Sequence, residues 1–492
     1  MPQPLYQLRC QPSERDLGDL HGRHELERDV TCGQPLSPPP CDWSPNAERD
    51  GRSAHRRGYN ARHPGSDSYF IVSSRESPLT GGDSCSNRLA AEAMAFDFII
   101  ALDGHGLNGF EGFAGIARLA CDPDADRWQP EVKFFDGIAG GHAVQLSPRG
   151  TVGFLGNLSQ QLVFFDPRTL EERARCSTLR FGAPSCFYES QTHVVWLDED
   201  AFVAAIGGQF WRFSLADLDN PRVLGPHGVT LPHAIKRTAS GRYLVYGAMD
   251  IAGQFANQLG IFDLETATAR VVALPATVWH LGVHPTRDTC YAPTQRCIPQ
   301  DGDFTEYAIA HFKNYLFEID VADARVTRHL AIAKDLPGAL TSDVVVTEHE
   351  VLYNGPASSV LARVRLDDFA HVTWIDERAS TRAQVRGWRA GIGNLVEVAS
   401  RINLPNATHW FIKAIRIAGG SLLDGSYGLG MSPDQRFLLS AHRGLNEVIV
   451  YRYPELTVHR RVAFPPMRTF YKHLGRFADT RLGFHHSTIR AI

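Results

Sequence analysis

The sequence predicts an all-β fold, a closed β-propeller of about seven four-stranded blades that follows a disordered N-terminal extension. Two observations favour this fold: short apolar strands recur with a period of roughly 40–50 residues, and turn residues occupy matching places in each repeat. Several short strands per unit at such a period are typical of propeller blades. Because one blade cannot bury both of its faces, successive blades must pack around a common axis.

Each repeat contains an apolar strand, a turn that often resembles Ser-Pro-x-Gly, a second strand, a third strand that ends in Asp, and a fourth strand. The clear copies cover residues 140–181, 231–275, 278–332 and 427–464. Weaker copies cover residues 186–228 and 338–377. The predicted inner strands begin near residues 142, 187, 233, 280, 340 and 428.

The two ends of the propeller region are expected to share one blade. Residues 481–492 have the pattern of an inner strand, and the strands within residues 96–135 would complete that blade from the other end. Such closure removes free sheet edges. The span 380–425 is irregular, and its pattern fits either a degraded blade or a helical cap.

Residues 1–93 are predicted to be a disordered extension, and residues 94–492 the propeller domain. The first segment is rich in Arg, Pro, Ser and Gly, contains the run Pro38-Pro39-Pro40, and lacks a hydrophobic period. It cannot bury enough apolar area to offset the loss of chain entropy on folding. Met94 directly precedes the first apolar strand, so we expect it to lie close to the true start, or residues 1–93 to be a dispensable tail.

Composition narrows the functional classes. The net charge of −4 lacks the basic excess that nucleic-acid binding requires. Nine cysteines are scattered without a CxxC pair, which suits a reducing compartment and argues against a cysteine zinc site. No apolar run reaches the roughly 20 residues of a membrane-spanning helix. We therefore expect a cytoplasmic protein whose partner is a small-molecule substrate, with neither nucleic acid nor a membrane span involved.

Histidines at repeated positions are the one chemical signal. His142, His233 and His280 begin the inner strands of three blades, and His485 and His486 lie in the last strand. Side chains at one register of several blades converge on the axis, where imidazoles can bind iron, copper or zinc. The alternative is structural: separated rings that each bond to a neighbouring backbone.

The alternation of strand side chains bears on the last histidine pair. His485 is expected to face the axis if Ile489 packs in the core, since residues 485, 487 and 489 share a face. Otherwise His486 and Thr488 face inward.

Other polar residues are expected to have structural roles. His284 is expected to be structural, and Asp166 and Asp263 are expected to be turn residues. Asp103, His105 and Glu111 form a polar cluster in a Gly-rich loop, which is more often a simple turn. No catalytic residue can be assigned.

Two resemblances follow from these motifs. Three blades carry the inner-strand pattern of YVTN and lactonase-type propellers. The histidine arrangement resembles carotenoid cleavage oxygenases, in LPHAIKRTASGRYLVYG around His233, VWHLGVHP around His280 and GFHHSTI around His485, with a looser match around His142. That resemblance implies four histidines on an iron ion and an oxidative activity. One departure is that two blades, rather than one, separate His142 from His233.

The leading hypothesis is a metal-dependent, oxidative enzyme that acts on a small organic substrate, with Fe(II) as the metal and copper as the alternative. Two other functions stay open: a lactonase-like hydrolase without a four-histidine metal site, and a non-catalytic propeller that binds another protein. GxSxG and Walker motifs are absent from the sequence.

Overall fold

The computed structural model describes the propeller region with gaps. The described residues are 94–103, 114–138, 140–182, 193–248, 256–294, 296–297, 314–332, 341–356, 359–377, 425–470 and 482–492. All of them belong to one structural unit, Ser86–Ile492. The predictions for residues 1–93 and 380–425 lie outside the described residues.

Seven four-stranded antiparallel sheets form the described blades. The first three strands are β1 (Phe96–Leu102), β2 (Gly115–Asp122) and β3 (Arg127–Phe134). Blade 1 comprises β4 (Val144–Leu146), β5 (Gly153–Leu155), β6 (Gln161–Phe165) and β7 (Glu172–Ser177). Blade 2 comprises β8 (Val194–Trp196), β9 (Ala201–Ile206), β10 (Gln209–Ser214) and β11 (Asp217–Pro226). Blade 3 comprises β12 (Pro232–Arg237), β13 (Tyr243–Ala248), β14 (Gln258–Asp263) and β15 (Thr268–Ala273).

The remaining strands form blades 4–7 and one short extra pair, β16 (Ala276–Thr277) with β19 (Arg296–Cys297). Blade 4 comprises β17 (Gly282–Val283), β18 (Thr289–Pro293), β20 (Asn314–Asp320) and β21 (Arg325–Ile332). Blade 5 comprises β22 (Val344–Val346), β23 (Glu350–Gly355), β24 (Val360–Arg365) and β25 (Thr373–Asp376). Blade 6 comprises β26 (Ser426–Met431), β27 (Phe437–His442), β28 (Glu447–Arg452) and β29 (Thr457–Ala463). Blade 7 comprises β30 (Phe484–Ala491) and then β1, β2 and β3.

Short 3₁₀ helices lie at Leu179–Phe181, Arg443–Leu445 and Met467–Thr469. The described part of the chain contains no helix long and apolar enough to span a membrane.

Blade 7 closes the ring by joining the two ends of the propeller. β30 pairs antiparallel with β1, so that Phe96 lies opposite Ala491 and Ile100 opposite Ser487. Arg490 adds an ion pair to Asp97 at 2.9 Å within the blade. The prediction that the last strand and the strands after Phe96 share one blade is confirmed.

Seven apolar clusters hold the described blades together, one between each pair of neighbours. Strand β1 shows how a single strand serves two clusters. Its Phe98 and Ile100 pack toward blade 6, while Ile99 and Ala101 pack toward blade 1. All seven residues of β1 are buried, because successive strand side chains point to opposite faces and both faces are covered.

The predicted inner strands agree with the structure except in blade 2. Strands β4, β12, β17, β22 and β26 begin within a few residues of the predicted places. Blade 2 begins at Val194 rather than near residue 187. The prediction assumed equal repeats, whereas blade 1 and its connection are longer than blade 2. The turn roles of Asp166 and Asp263 are confirmed, since each carboxylate accepts a hydrogen bond from a backbone N–H two residues further on.

Deletion of residues 484–492 is expected to unfold the propeller or to lower its melting temperature by more than 10 °C, because it removes the inner strand of blade 7 and leaves one hydrogen-bonding edge of β1 unpaired. Thermal unfolding of the metal-free protein measures this. The double variant His485→Ala/His486→Ala is the control, since it removes the imidazoles and keeps the strand. Equal melting temperatures for the deletion and this control would contradict closure through β30.

Candidate metal centre

Histidines from five blades meet on the propeller axis. His142, His193, His233 and His280 lie at the start of the inner strands of blades 1, 2, 3 and 4, and His486 lies near the start of the inner strand of blade 7. All five are buried. The inner strands of neighbouring blades lie side by side, so residues at their first positions are brought together.

Four of these imidazoles have the spacing of a metal site. His142, His193, His233 and His486 each offer one ring nitrogen, and these four atoms lie within 4.8 Å of one another. The Nε2 atoms of His142 and His233 are 3.1 Å apart. Nitrogen ligands at 2.0–2.1 Å from an ion lie roughly 3 Å apart at a right angle and about 4 Å apart when opposite. The group therefore has nearly the dimensions of a first coordination shell.

Two further histidines border this group. The ring centroid of His280 lies 4.2 Å from that of His486 and 4.8 Å from that of His233. The ring of His485 lies 4.2 Å from His142 and 4.5 Å from His486. All five predicted histidines thus lie in one cluster with His193, rather than as separated rings.

Glycines allow the segments that carry His142 and His280 to lie close to the second strand of the preceding blade. A Cβ on Gly141 would lie 2.1 Å from the carbonyl oxygen of Leu102 in blade 7. A Cβ on Gly247 would lie 2.5 Å from the carbonyl oxygen of Val278, two residues before His280. Any larger residue at either place would push the segment that carries His142 or His280 away from the preceding blade.

A β-bulge sets the direction of His233. His233 lies opposite Gly247 and Lys236 opposite Val245, so Ala234 and Ile235 share one partner residue. Ala234 has φ of 46°, in the left-handed region that costs a non-glycine residue about 1 kcal/mol. Bulges that redirect a side chain are frequent beside active sites.

A second bulge explains the adjacent pair His485 and His486. Ser487 lies opposite Ile100 and Phe484 opposite Leu102, so both histidines face the single residue Ala101. The prediction from side-chain alternation, that His485 rather than His486 is the axial histidine, was wrong. Ile489 does pack against the core between blades 6 and 7, yet the four-imidazole group contains His486 rather than His485. An extra residue in the strand breaks the two-residue period on which that argument depended.

His193 was missed from the sequence. The equal-repeat assumption placed the start of blade 2 near residue 187, six residues before it. The available signal was local: His193 is followed by Val194-Val195, much as His142 is followed by Ala143-Val144.

A carboxylate supports one of the imidazoles. Asp343 Oδ1 lies 2.8 Å from Nδ1 of His486. Its Oδ2 accepts hydrogen bonds from the backbone N–H of Leu429 at 3.1 Å and from the backbone N–H and hydroxyl of Ser487 at 2.9 and 3.1 Å. Asp343 immediately precedes β22, so blade 5 contributes a carboxylate where blades 1–4 contribute histidines. Histidine ligands of metals commonly donate their other ring N–H to such a group.

A buried cation lies on the blade 6 side of the cluster. Arg443 forms an ion pair with Asp103, and its guanidinium lies 5.2 Å from the ring centroid of Tyr427. The Tyr427 ring in turn lies 4.8 Å from that of His485. Asp103 therefore has a partner next to the site, while His105 and Glu111, its predicted loop neighbours, lie outside the described residues.

Burial keeps the imidazoles neutral. Loss of solvation lowers the pKa of His142, His193, His233, His280 and His485 well below 6.5, and neighbouring imidazoles lower these pKa values further. Only a neutral imidazole has a lone pair for a metal ion. The cluster is therefore ready to bind a cation at neutral pH.

His284, four residues after His280, is separate from this cluster. The charged groups that act on its pKa are Arg287, Glu318 and Glu348 rather than the axial histidines. Its Nδ1 accepts a hydrogen bond from the backbone N–H of Thr286 at 3.2 Å.

Comparison with known proteins identifies no family. No protein-family model and no curated protein matches the chain. Similar solved structures include hydrazine synthase of Kuenenia stuttgartiensis, which is 13% identical, over 66% of this chain and 87% of that chain, with a TM-score of 0.45. Another is the dihydro-heme d1 dehydrogenase NirN in complex with DHE, at 11% identity over 77% and 75%, with a TM-score of 0.43.

A putative 6-phosphogluconolactonase from Bacteroides fragilis is 10% identical, over 83% of this chain and 100% of that chain, with a TM-score of 0.49. Similarity at this level carries no information about the activity of this chain. The resemblance to carotenoid cleavage oxygenases rests on the sequence segments alone.

The free energy of unfolding of the metal-free protein is expected to fall steeply as the pH drops below about 6.5. The unfolded chain takes up protons at its histidines there, whereas the five imidazoles whose pKa values are lowered, those of His142, His193, His233, His280 and His485, do not. Each such histidine contributes a slope of about 1.4 kcal/mol per pH unit. Urea unfolding between pH 7.5 and 5.5 measures this, above the range in which ordinary carboxylates titrate.

The variant His371→Ala, which removes an exposed histidine, is expected to keep the wild-type pH dependence. A free energy of unfolding that stays constant over this range in the wild type would show that the cluster is not buried and neutral.

Proposed function

We propose that this chain is a metal-dependent enzyme that uses O₂ as the oxidant of a small organic substrate on the propeller axis. In this proposal His142, His193, His233 and His486 bind one divalent transition-metal ion. The observation that carries it is the convergence of four buried ring nitrogens within 4.8 Å.

Unpaired ring nitrogens favour a metal site over a structural histidine cluster. Within the described residues, buried His233 Nδ1, His485 Nδ1 and His486 Nε2 have no hydrogen-bond partner. An unsatisfied buried polar group costs about 1–3 kcal/mol. Structural histidines would be expected to bond to backbone groups, whereas here Nε2 of His142 and of His233 face each other.

The donor set narrows the choice of metal. Imidazole suits iron, copper, zinc and nickel, while magnesium and calcium prefer oxygen ligands. An oxidative reaction requires a redox-active ion, so iron is the first choice and copper the second. Such an ion, when bound with an open coordination position, supplies the electron-transfer chemistry.

The protein's own residues hold and shield that position. Neutral imidazoles present lone pairs at pH 7 without a prior loss of protons. Asp343 holds a hydrogen bond at Nδ1 of His486, and Arg443 with Tyr427 lines the blade 6 side. His280 and His485 contact the four-imidazole group, so their substitution is expected to weaken metal binding less than substitution within it.

Metal content separates this proposal from the two rival functions. Protein purified without chelator is expected to contain one iron or copper ion per chain, measured by plasma mass spectrometry. His193→Ala and His233→Ala should each lower metal affinity at least about tenfold, since the loss of even an outer-sphere partner costs that much. A lactonase-like hydrolase or an interaction propeller would show the same metal content in all variants.

The matched control is His284→Ala, which removes a buried histidine of blade 4 outside the cluster. It is expected to keep the wild-type metal content. Equal metal loss in His284→Ala and His233→Ala would indicate general damage to the fold and would contradict the assignment.

The oxidative part of the proposal has its own test. Nitric oxide added anaerobically to the Fe(II)-loaded protein should give the electron paramagnetic resonance signal of an iron–nitrosyl species, which requires an open coordination position. His284→Ala should give the same signal and His233→Ala should lose it. A wild-type protein that binds Fe(II) without forming this species would rule out an oxygen-dependent reaction at the site.

A further inference from the structure

The contacts of Asp343 define a specific function for this half-buried acid. We infer that Asp343 is a positioning residue that fixes the proton of His486 on Nδ1 and so makes Nε2 the metal-binding atom. This inference rests on the proposed function only in naming the metal. The proton position itself follows from hydrogen-bond geometry.

The geometry at Nδ1 determines the tautomer. An ionised carboxylate only accepts hydrogen bonds, so a short contact of 2.8 Å from Asp343 Oδ1 requires a proton on Nδ1 of His486. A neutral imidazole carries one ring proton, which leaves Nε2 with a free lone pair. Nε2 is buried and has no hydrogen-bond partner within the described residues, and His486 belongs to the four-imidazole group.

The second carboxylate oxygen cannot be replaced by an amide nitrogen. Oδ2 of Asp343 accepts from two backbone N–H groups, those of Leu429 and Ser487, and from the Ser487 hydroxyl. An asparagine here must place its carbonyl oxygen at this position, because its NH₂ would otherwise face two N–H donors. The NH₂ group would then point at Nδ1 of His486. Nδ1 would have to accept, and the ring proton would move to Nε2, where it blocks metal binding.

A neighbouring serine does not substitute for the carboxylate. Ser342 Oγ lies 3.4 Å from Nδ1 of His486, while its hydroxyl donates to the carbonyl oxygen of Tyr427 at 2.9 Å. This contact is longer than the carboxylate contact by 0.6 Å. The tautomer therefore depends on Asp343, which links blades 5, 6 and 7 at the axis.

Asp343→Asn is the decisive variant, with Co(II) as the metal probe. Its affinity for Co(II), followed by visible absorption in the full-length protein, is expected to fall 10- to 100-fold, as for other outer-sphere partners of histidine ligands. In the His486→Ala background the same substitution should have no further effect, because Asp343 acts through that ring. An unchanged Co(II) affinity in Asp343→Asn would overturn the inference.

Asp434→Asn is the matched control. Asp434, like Asp343, accepts from a serine hydroxyl, that of Ser432, and from a backbone N–H, that of Arg436, but it lies in a turn of blade 6. The control should bind Co(II) like the wild type. If both variants lose Co(II) equally, the loss is structural and the inference is wrong.

Ring ¹⁵N chemical shifts of histidine in the metal-free protein report the tautomer directly, and they need no variant of Asp343. His486, assigned with His486→Gln, should carry its proton on Nδ1 in the wild type and, where Asp343→Asn folds, on Nε2 in that variant. A wild-type proton on Nε2 would overturn the inference. If the wild type has the Nδ1 proton yet binds no metal, the tautomer assignment stands and the proposed function fails.

Discussion

The pairing of β30 with β1 is the constraint on which the rest of the structure depends. Each described blade buries apolar side chains against both of its neighbours, so an open ring would expose an apolar blade face at each end. The same pairing carries His485 and His486 to the axis, next to His142, whose carbonyl oxygen accepts from the backbone N–H of His486 at 3.1 Å. Closure of the fold and assembly of the site are therefore one event.

In the absence of a bound ion, the axial cluster lowers the free energy of unfolding of the propeller. Five imidazoles are buried deeply enough to lower their pKa values, several ring nitrogens lack partners within the described residues, and Ala234 adopts a left-handed conformation. Apolar side chains of similar volume would fill the axis at lower cost. A cation that binds only to the folded state would offset this cost by mass action.

The fold was more predictable from the sequence than the site. Local patterns of strand and turn residues predict the blade repeats. Closure of the ring follows because both faces of the apolar strand β1 must be covered. The site depends on inserted residues in the strands and on unequal repeat lengths, which local strand and turn patterns do not reveal. The bulge opposite Ala101 placed His486 rather than His485 in the four-imidazole group, and unequal repeat lengths hid His193. Asp343 was not predicted because blade 5 has a carboxylate directly before its inner strand, where blades 1–4 have histidines.

Charge explains why one carboxylate among so many imidazoles matters. Imidazoles are neutral ligands, so a divalent ion held by them keeps its full charge in a buried position, which is costly without a compensating anion. Arg443 adds positive charge nearby, and its ion pair with Asp103 offsets only that addition. Asp343 therefore meets two requirements with one side chain. It sets the proton position of His486, and it places a negative charge one imidazole away from the ion, whereas an asparagine of the same shape would meet neither.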